Sequence, residues 1–128
     1  MLLYKSYIKP SAIHGIGLYT AEPIEKGRLM WKFTPPFDVA FTDDLWKLLH
    51  PDAATYIRHY SYLCHFSKLW ILCGDNARFY NHSDTPNTEQ DPTNIYQDLA
   101  LRDIKVDEEI TCDYGKFDLH GLKTAPWV

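Results

Sequence analysis

The sequence predicts a mostly β protein with one short helical insert. Three observations carry that reading. Glycine and proline cut the 128 residues into short pieces, as turns do between strands. Ile110, Cys112 and Tyr114 alternate as one face of a strand would. Helix signals collect in a single stretch, about 42–60, where a cap candidate, an acidic first turn and helically spaced leucines coincide.

The elements follow in order. Residues 4–9 read as a strand, 10–15 as a turn and 17–21 as a second strand. A turn at 24–27 leads into a strand at 28–33, and Pro35-Pro36 breaks the pattern. Thr42 is placed as an N-cap, with Asp43 and Asp44 complementing the helix dipole and Leu45, Leu48 and Leu49 forming the apolar face. Pro51 interrupts this helix, and a second one is expected from 52 to about 60. Strand character returns at 69–72. The polar stretch 83–94 reads as loop, 95–101 as strand, 104–108 as turn and 109–114 as strand. The tail, 115–128, is less regular. No repeat or low-complexity segment interrupts what is one domain's worth of chain.

Composition narrows the function classes. Hydrophobic residues at 45% and charged residues at 23% describe an ordinary globular chain. A net charge of −4 with no basic run argues against direct nucleic-acid binding. Aromatic residues at 15% can build a core or line a pocket. The cysteines, Cys64, Cys73 and Cys112, are odd in number and include no Cys-x-x-Cys, which fits a reducing intracellular compartment such as the cytoplasm. The first residues do not read as a secretion signal, and no stretch reaches the roughly 20 apolar residues of a membrane span.

Three motifs carry chemistry. His14-Gly15-Ile16-Gly17 would let a ligand approach the backbone, although Thr20 stands where a dinucleotide fingerprint needs its third glycine; taken alone, a simple turn is the better reading. Arg78-Phe79-Tyr80-Asn81-His82-Ser83, followed by Pro86-Asn87, concentrates hydrogen-bonding side chains that could hold a polar ligand or cap their own loop. Glu108-Glu109-Ile110-Thr111-Cys112-Asp113-Tyr114-Gly115 is, alone, a strand ending in a turn.

Together and in this order, the motifs resemble the SET-domain family of protein-lysine methyltransferases. The resemblance covers residues 4–115, with the helical insert similar in position and type. It implies a β-clip of small curved sheets with a knot-like core, spanning 1–115, and a tail, 116–128, that completes the site; such threading is rare among folds. It implies S-adenosylmethionine as methyl donor and S-adenosylhomocysteine as product, with no metal. The donor-binding residues it implies are Gly15, Ile16, Gly17, Arg78, Asn81 and His82, with Phe117 and Trp127 as the tail aromatics available to cover the adenine. Tyr114 matches the catalytic tyrosine. Tyr62 is the second candidate, or a core tyrosine; Tyr60 is a weaker alternative and Tyr80 reads as packing. Tyr62, Cys112 and Tyr114 would line the lysine channel. The partner is a lysine-bearing protein or peptide, with neither nucleic acid nor membrane; homodimerisation is left open.

Three departures from the family pattern bear on the site. Asp84 stands where many members have a zinc-binding cysteine, so a small stand-alone form without the zinc-binding tail module is expected. Cys112 replaces a frequent Phe or Tyr, which suggests room for more than one methyl group. Asp107 replaces a glycine and should affect only its turn. The competing reading is a catalytically inactive SET-like module that binds S-adenosylmethionine or a peptide. A metal site built from Cys64, His65, Cys73 and His82 is disfavoured by spacing.

Overall fold

A computed structural model describes residues 1–119. Its strands are β1 (Ser6–Pro10), β2 (Ile16–Thr20), β3 (Leu29–Lys32), β4 (Val39–Phe41), β5 (Ser61–Leu63), β6 (Trp70–Leu72), β7 (Asn81–His82), β8 (Thr88–Asp91), β9 (Asn94–Ala100) and β10 (Thr111–Cys112). Two α-helices accompany them, α1 (Pro51–Tyr60) and the single turn α2 (Tyr114–Phe117). The strands form small sheets: the hairpin β1-β2, the antiparallel sheets β3-β9-β8 and β4-β6-β5, and the parallel pair β10-β7. This is the β-clip, with its one longer helix beside the sheets.

The main core sits between the hairpin and the β3-β9-β8 sheet. Leu18, Met30 and Ile110 are wholly buried there, packed with Tyr4, Ile24, Ala100 and Ile104. Each such side chain contributes roughly 1.5–3 kcal/mol. The bridges Ile24–Ile104 and Tyr19–Glu109 tie the turn segments to this core. Asp107 occupies the left-handed region at φ +66° and accepts a bond from the Tyr7 hydroxyl at 2.6 Å; aspartate tolerates that conformation better than most residues.

The structure corrects the sequence reading in the insert and in two strands. Residues 43–47 form a 3-10 turn rather than an α-helix; Thr42 makes no side-chain cap bond, and Leu48 is 81% exposed. The helix starts at Pro51, with the His50 ring accepting from the Asp52 amide and proline at the tolerated first position. The insert is also bracketed by β4 and β5, both paired to β6. Within the expected loop, Thr88–Asp91 forms β8, held by its ladder to β9 despite polar composition. The strand expected over 109–114 narrows to Thr111–Cys112. Asp113 then accepts from the Gly115 amide and starts α2, so Tyr114 is helical.

Candidate active site

The geometry of the hairpin loop sets one wall of the site. The Ser11 amide donates to the Gly15 carbonyl at 2.7 Å, closing the loop. Gly15 has φ +45°, a conformation that favours glycine, and no atom lies within 4 Å of where its Cβ would be. Gly17 is glycine for a different reason. A Cβ there would lie 2.3 Å from Oε1 of Glu109. Glu109 in turn accepts from Ser11 Oγ at 2.8 Å and from Asn81 Nδ2 at 2.9 Å. Asn81 is buried, and its amide also donates to the carbonyls of His14 (3.0 Å) and Ile16 (3.2 Å). One asparagine thus fastens β7 to the hairpin loop.

The parallel pair sets the opposite wall. Thr111 faces Asn81 and Cys112 faces His82 across it. Two residues of ladder hold little by themselves, and side chains supply the rest. Asn87, 2% exposed, accepts from the Thr111 amide at 2.8 Å and donates to the Glu109 carbonyl at 2.7 Å. His82 Nδ1 accepts from the Tyr114 amide at 3.1 Å, which leaves Nε2 to donate to Asp84 at 3.0 Å.

Between these walls lies a cavity of about 800 Å³, the size range of small-molecule sites. Gly15, Ile16, Tyr62, Arg78, Asn81, Cys112, Tyr114 and Phe117 all border it. Gly17 and His82 stand behind the lining, as the support of Glu109 and of Tyr114 respectively. Trp127 lies outside the described residues. The Tyr114 hydroxyl donates to the main-chain carbonyl of Tyr80. Phe117 packs edge-on against Tyr62 at 5.0 Å and against Tyr114 at 6.0 Å between centroids. Burial pushes the hydroxyls of Tyr62, Tyr80 and Tyr114 and the thiol of Cys112 well above their usual acidity range. These hydroxyls and this thiol therefore stay neutral at neutral pH, in a poorly solvated corner.

Arg78 donates to the Cys73 carbonyl at 2.8 Å and lies over the Tyr60 ring. Arg58 and His59 of α1 bring further polar groups to the rim. Sequence reasoning gave no role to Glu109 or Asp98. Tyr80, read as packing, does pack: its hydroxyl lies 3.2 Å from that of Tyr4, but its carbonyl orients Tyr114. Asp98 lines the cavity on the same strand face as the buried Ala100. A charged residue at alternate spacing from a core alanine was the signal available for it. Among the described residues, no cluster of three or more His, Cys, Asp or Glu side chains is arranged to hold a metal ion.

Known proteins resemble this chain in sequence and in fold. A Plasmodium falciparum protein named "Putative histone-lysine N-methyltransferase 1" is 31% identical over 118 residues, which take in 84% of this chain and 2% of that protein. Histone-lysine N-methyltransferase ASHH3 of Arabidopsis thaliana is 28% identical over 111 residues, 78% of this chain and 29% of its own length. The chain thus spans less than a third of either curated relative. Among solved structures, a humanized mutant of the Chaetomium thermophilum Polycomb Repressive Complex 2 matches with a TM-score of 0.61 at 21% identity, over 91% of this chain and 16% of that one, a likeness of fold. The model of the SET domain matches residues 15–115, from the hairpin loop through Tyr114. The chain belongs to the SET domain family.

Proposed function

We propose that the chain transfers methyl groups from S-adenosylmethionine to the side-chain amine of lysine in a protein substrate. The observation that carries this is the Tyr114 hydroxyl, anchored on the Tyr80 carbonyl in an apolar aromatic corner of the cavity. A free lysine amine has a pKa near about 10.4 and must lose its proton to become a nucleophile. A poorly solvated corner disfavours the ammonium form. A fixed phenol oxygen and a neighbouring carbonyl then align the amine, and alignment is most of what this transfer requires.

The residues fit the donor. The open space beside Gly15, the main chain of 14–16, the Arg78 cation and the Phe117 ring offer places for backbone contacts, a carboxylate and a flat base. Bound there, S-adenosylmethionine would supply a methyl group on positively charged sulfur. Asn81 and Glu109 shape that wall, and His82 holds the main chain of Tyr114. Tyr62 and Cys112 border the channel beside Tyr114; Cys112 leaves room for a methylated amine to re-enter. The names of the relatives make histones the first protein substrates to try, with a homodimer as a candidate assembly. Three unbonded cysteines suit a reducing intracellular compartment.

Labelled methyl transfer in native lysate tests the reading. Wild-type protein should label lysine-bearing proteins, and Tyr114→Phe should not. Tight donor binding by calorimetry with no transfer to any protein would instead identify a binding module.

A further inference from the structure

We infer that Asp98 accepts the proton of the incoming lysine ammonium, an assignment that rests on the lysine-methylation reading above. Asp98 lies on β9, opposite Gln90 of β8 and Trp31 of β3. Its carboxylate borders the cavity together with Tyr62, Tyr80 and Cys112. Among the described residues, no hydrogen bond or ion pair reaches it. The Gln90 amide across the ladder is already committed to the Ile95 carbonyl at 2.8 Å. An unpartnered carboxylate facing a channel made for a cation is where that cation's charge would be met.

The groups that face Asp98 do not compete for this role. Tyr4 comes from the N-terminal segment, Tyr62 from β5, Cys73 from the end of β6, Tyr80 from before β7 and Cys112 from β10. Burial raises the pKa of every one of these, so all stay neutral near pH 7. The Met1 ammonium opposes the rise at Asp98, whereas burial drives it, to about 7. Glu89 and Asp113 also border the cavity, but the Asp113 carboxylate already accepts from the Gly115 amide. Among the groups just named, burial makes Asp98 the one that changes charge near neutrality; His59, at the cavity rim, is held below its usual value by burial.

The step balances. One ammonium N–H bond breaks, its electron pair stays on nitrogen as the nucleophilic lone pair, and the proton joins an oxygen of Asp98. Asp98 later returns the proton to water at the cavity mouth. An ordinary aspartate is a weaker base than lysine by roughly six to seven powers of ten. The rise from 3.8 to about 7 removes about three of them. Desolvation of the ammonium in the same corner removes more.

The test is the pH dependence of kcat/KM and kcat for a lysine peptide, measured for wild type and Asp98→Asn. Wild type should show an acid limb near pH 7. Asp98→Asn should be about 100-fold slower at pH 7.5, with the deficit shrinking as pH approaches the lysine pKa of about 10.4. A deficit that is constant with pH, or none, overturns the assignment. Asp98→Glu, which keeps a carboxylate, should recover part of the neutral-pH rate. If Asp98→Asn does not fold, the wild-type profile decides: a limb near pH 7 supports the role, and a single rise up to about pH 10 overturns it. A wild-type protein that methylates no lysine overturns the function reading, and this inference with it.

Discussion

Replacing Asp98 by asparagine should stabilise the protein at neutral pH, although it harms the proposed chemistry. Burial lifts the folded carboxyl from 3.8 to about 7. A group whose folded pKa lies above its unfolded value is protonated more readily in the native state. Its cost to folding is absent below about pH 4, grows as pH rises toward 7, and is fully present above that. At 1.36 kcal/mol per pKa unit the gap corresponds to roughly 4 kcal/mol. Asparagine keeps the shape without the charge but brings a polar amide of its own, so a gain of roughly 2–4 kcal/mol is expected at pH 8. In urea that moves the unfolding midpoint up by about 1–2 M. At pH 4 the two proteins should unfold together. Glu22, held low by Arg28, Asp91, held low by Gln97, and Glu108, held low by Arg102, act with the opposite sign. Their stabilisation is present above their unfolded values and is lost on acidification, in both proteins alike, so it cancels in the comparison. A variant no more stable than wild type at pH 8 would mean that Asp98 has a partner in solution. A gain that persists at pH 4 would refute the charge argument.

Other perturbations probe the rest of the site. Cys112→Tyr places a ring beside Tyr62 and Tyr80 in the channel, so products should shift toward monomethyl-lysine by mass spectrometry; an unchanged pattern would mean Cys112 does not set the room available. Gly17→Ala puts a methyl 2.3 Å from Glu109 Oε1 and should cost roughly 1–3 kcal/mol in urea unfolding; full stability would show that Glu109 moves freely. Glu109→Ala removes the acceptor shared by Ser11 and Asn81, and calorimetry should show at least about tenfold weaker donor binding, near 1.4 kcal/mol. Tyr114→Phe should lower the purified transfer rate by about 100-fold or more; a fully active variant would remove Tyr114 from the catalytic role.

What could be read in the sequence divides along physical lines. The hairpin loop, the Asn81-His82-Ser83 segment and Asp113-Tyr114 were legible because each combines unusual residue types over a few positions. β8 was not: Thr88, Glu89, Gln90 and Asp91 have weak strand preference, and only pairing with β9 makes them extended. The three-residue strands β4 and β5 are too short to show a period, and their partner β6 decides them. Leu48 looked like the apolar face of a helix, but the 3-10 geometry at 43–47 turns it outward. The helical start at Tyr114 was readable in principle. Asp113 two residues before Gly115 is a cap signal, obscured by the alternation of Ile110, Cys112 and Tyr114. Asp98 was visible only as a charge alternating with Ala100 along a strand, a weak signal because pairing with β3 and β8 decides which face is buried.

The motif side chains spend most of their hydrogen bonds on positioning backbone. Asn81 spends its amide on His14, Ile16 and Glu109, His82 on Tyr114, and Asn87 on Thr111 and Glu109. Each bond joins segments at least 22 residues apart, and β10 offers too short a ladder to place Tyr114 alone. That division follows from the chemistry proposed. A transfer governed by alignment needs main chain and one phenol held to within a fraction of an ångström, and buried, fully satisfied polar bonds hold more directionally than apolar packing. Within such a network an unsatisfied charge is expensive and would ordinarily be replaced by an apolar residue. Asp98 stands in that position. The substrate ammonium is a component of the proposed reaction whose charge would offset it and which also carries a proton to give up, and so the cost to stability at neutral pH and the role as proton acceptor have the same origin.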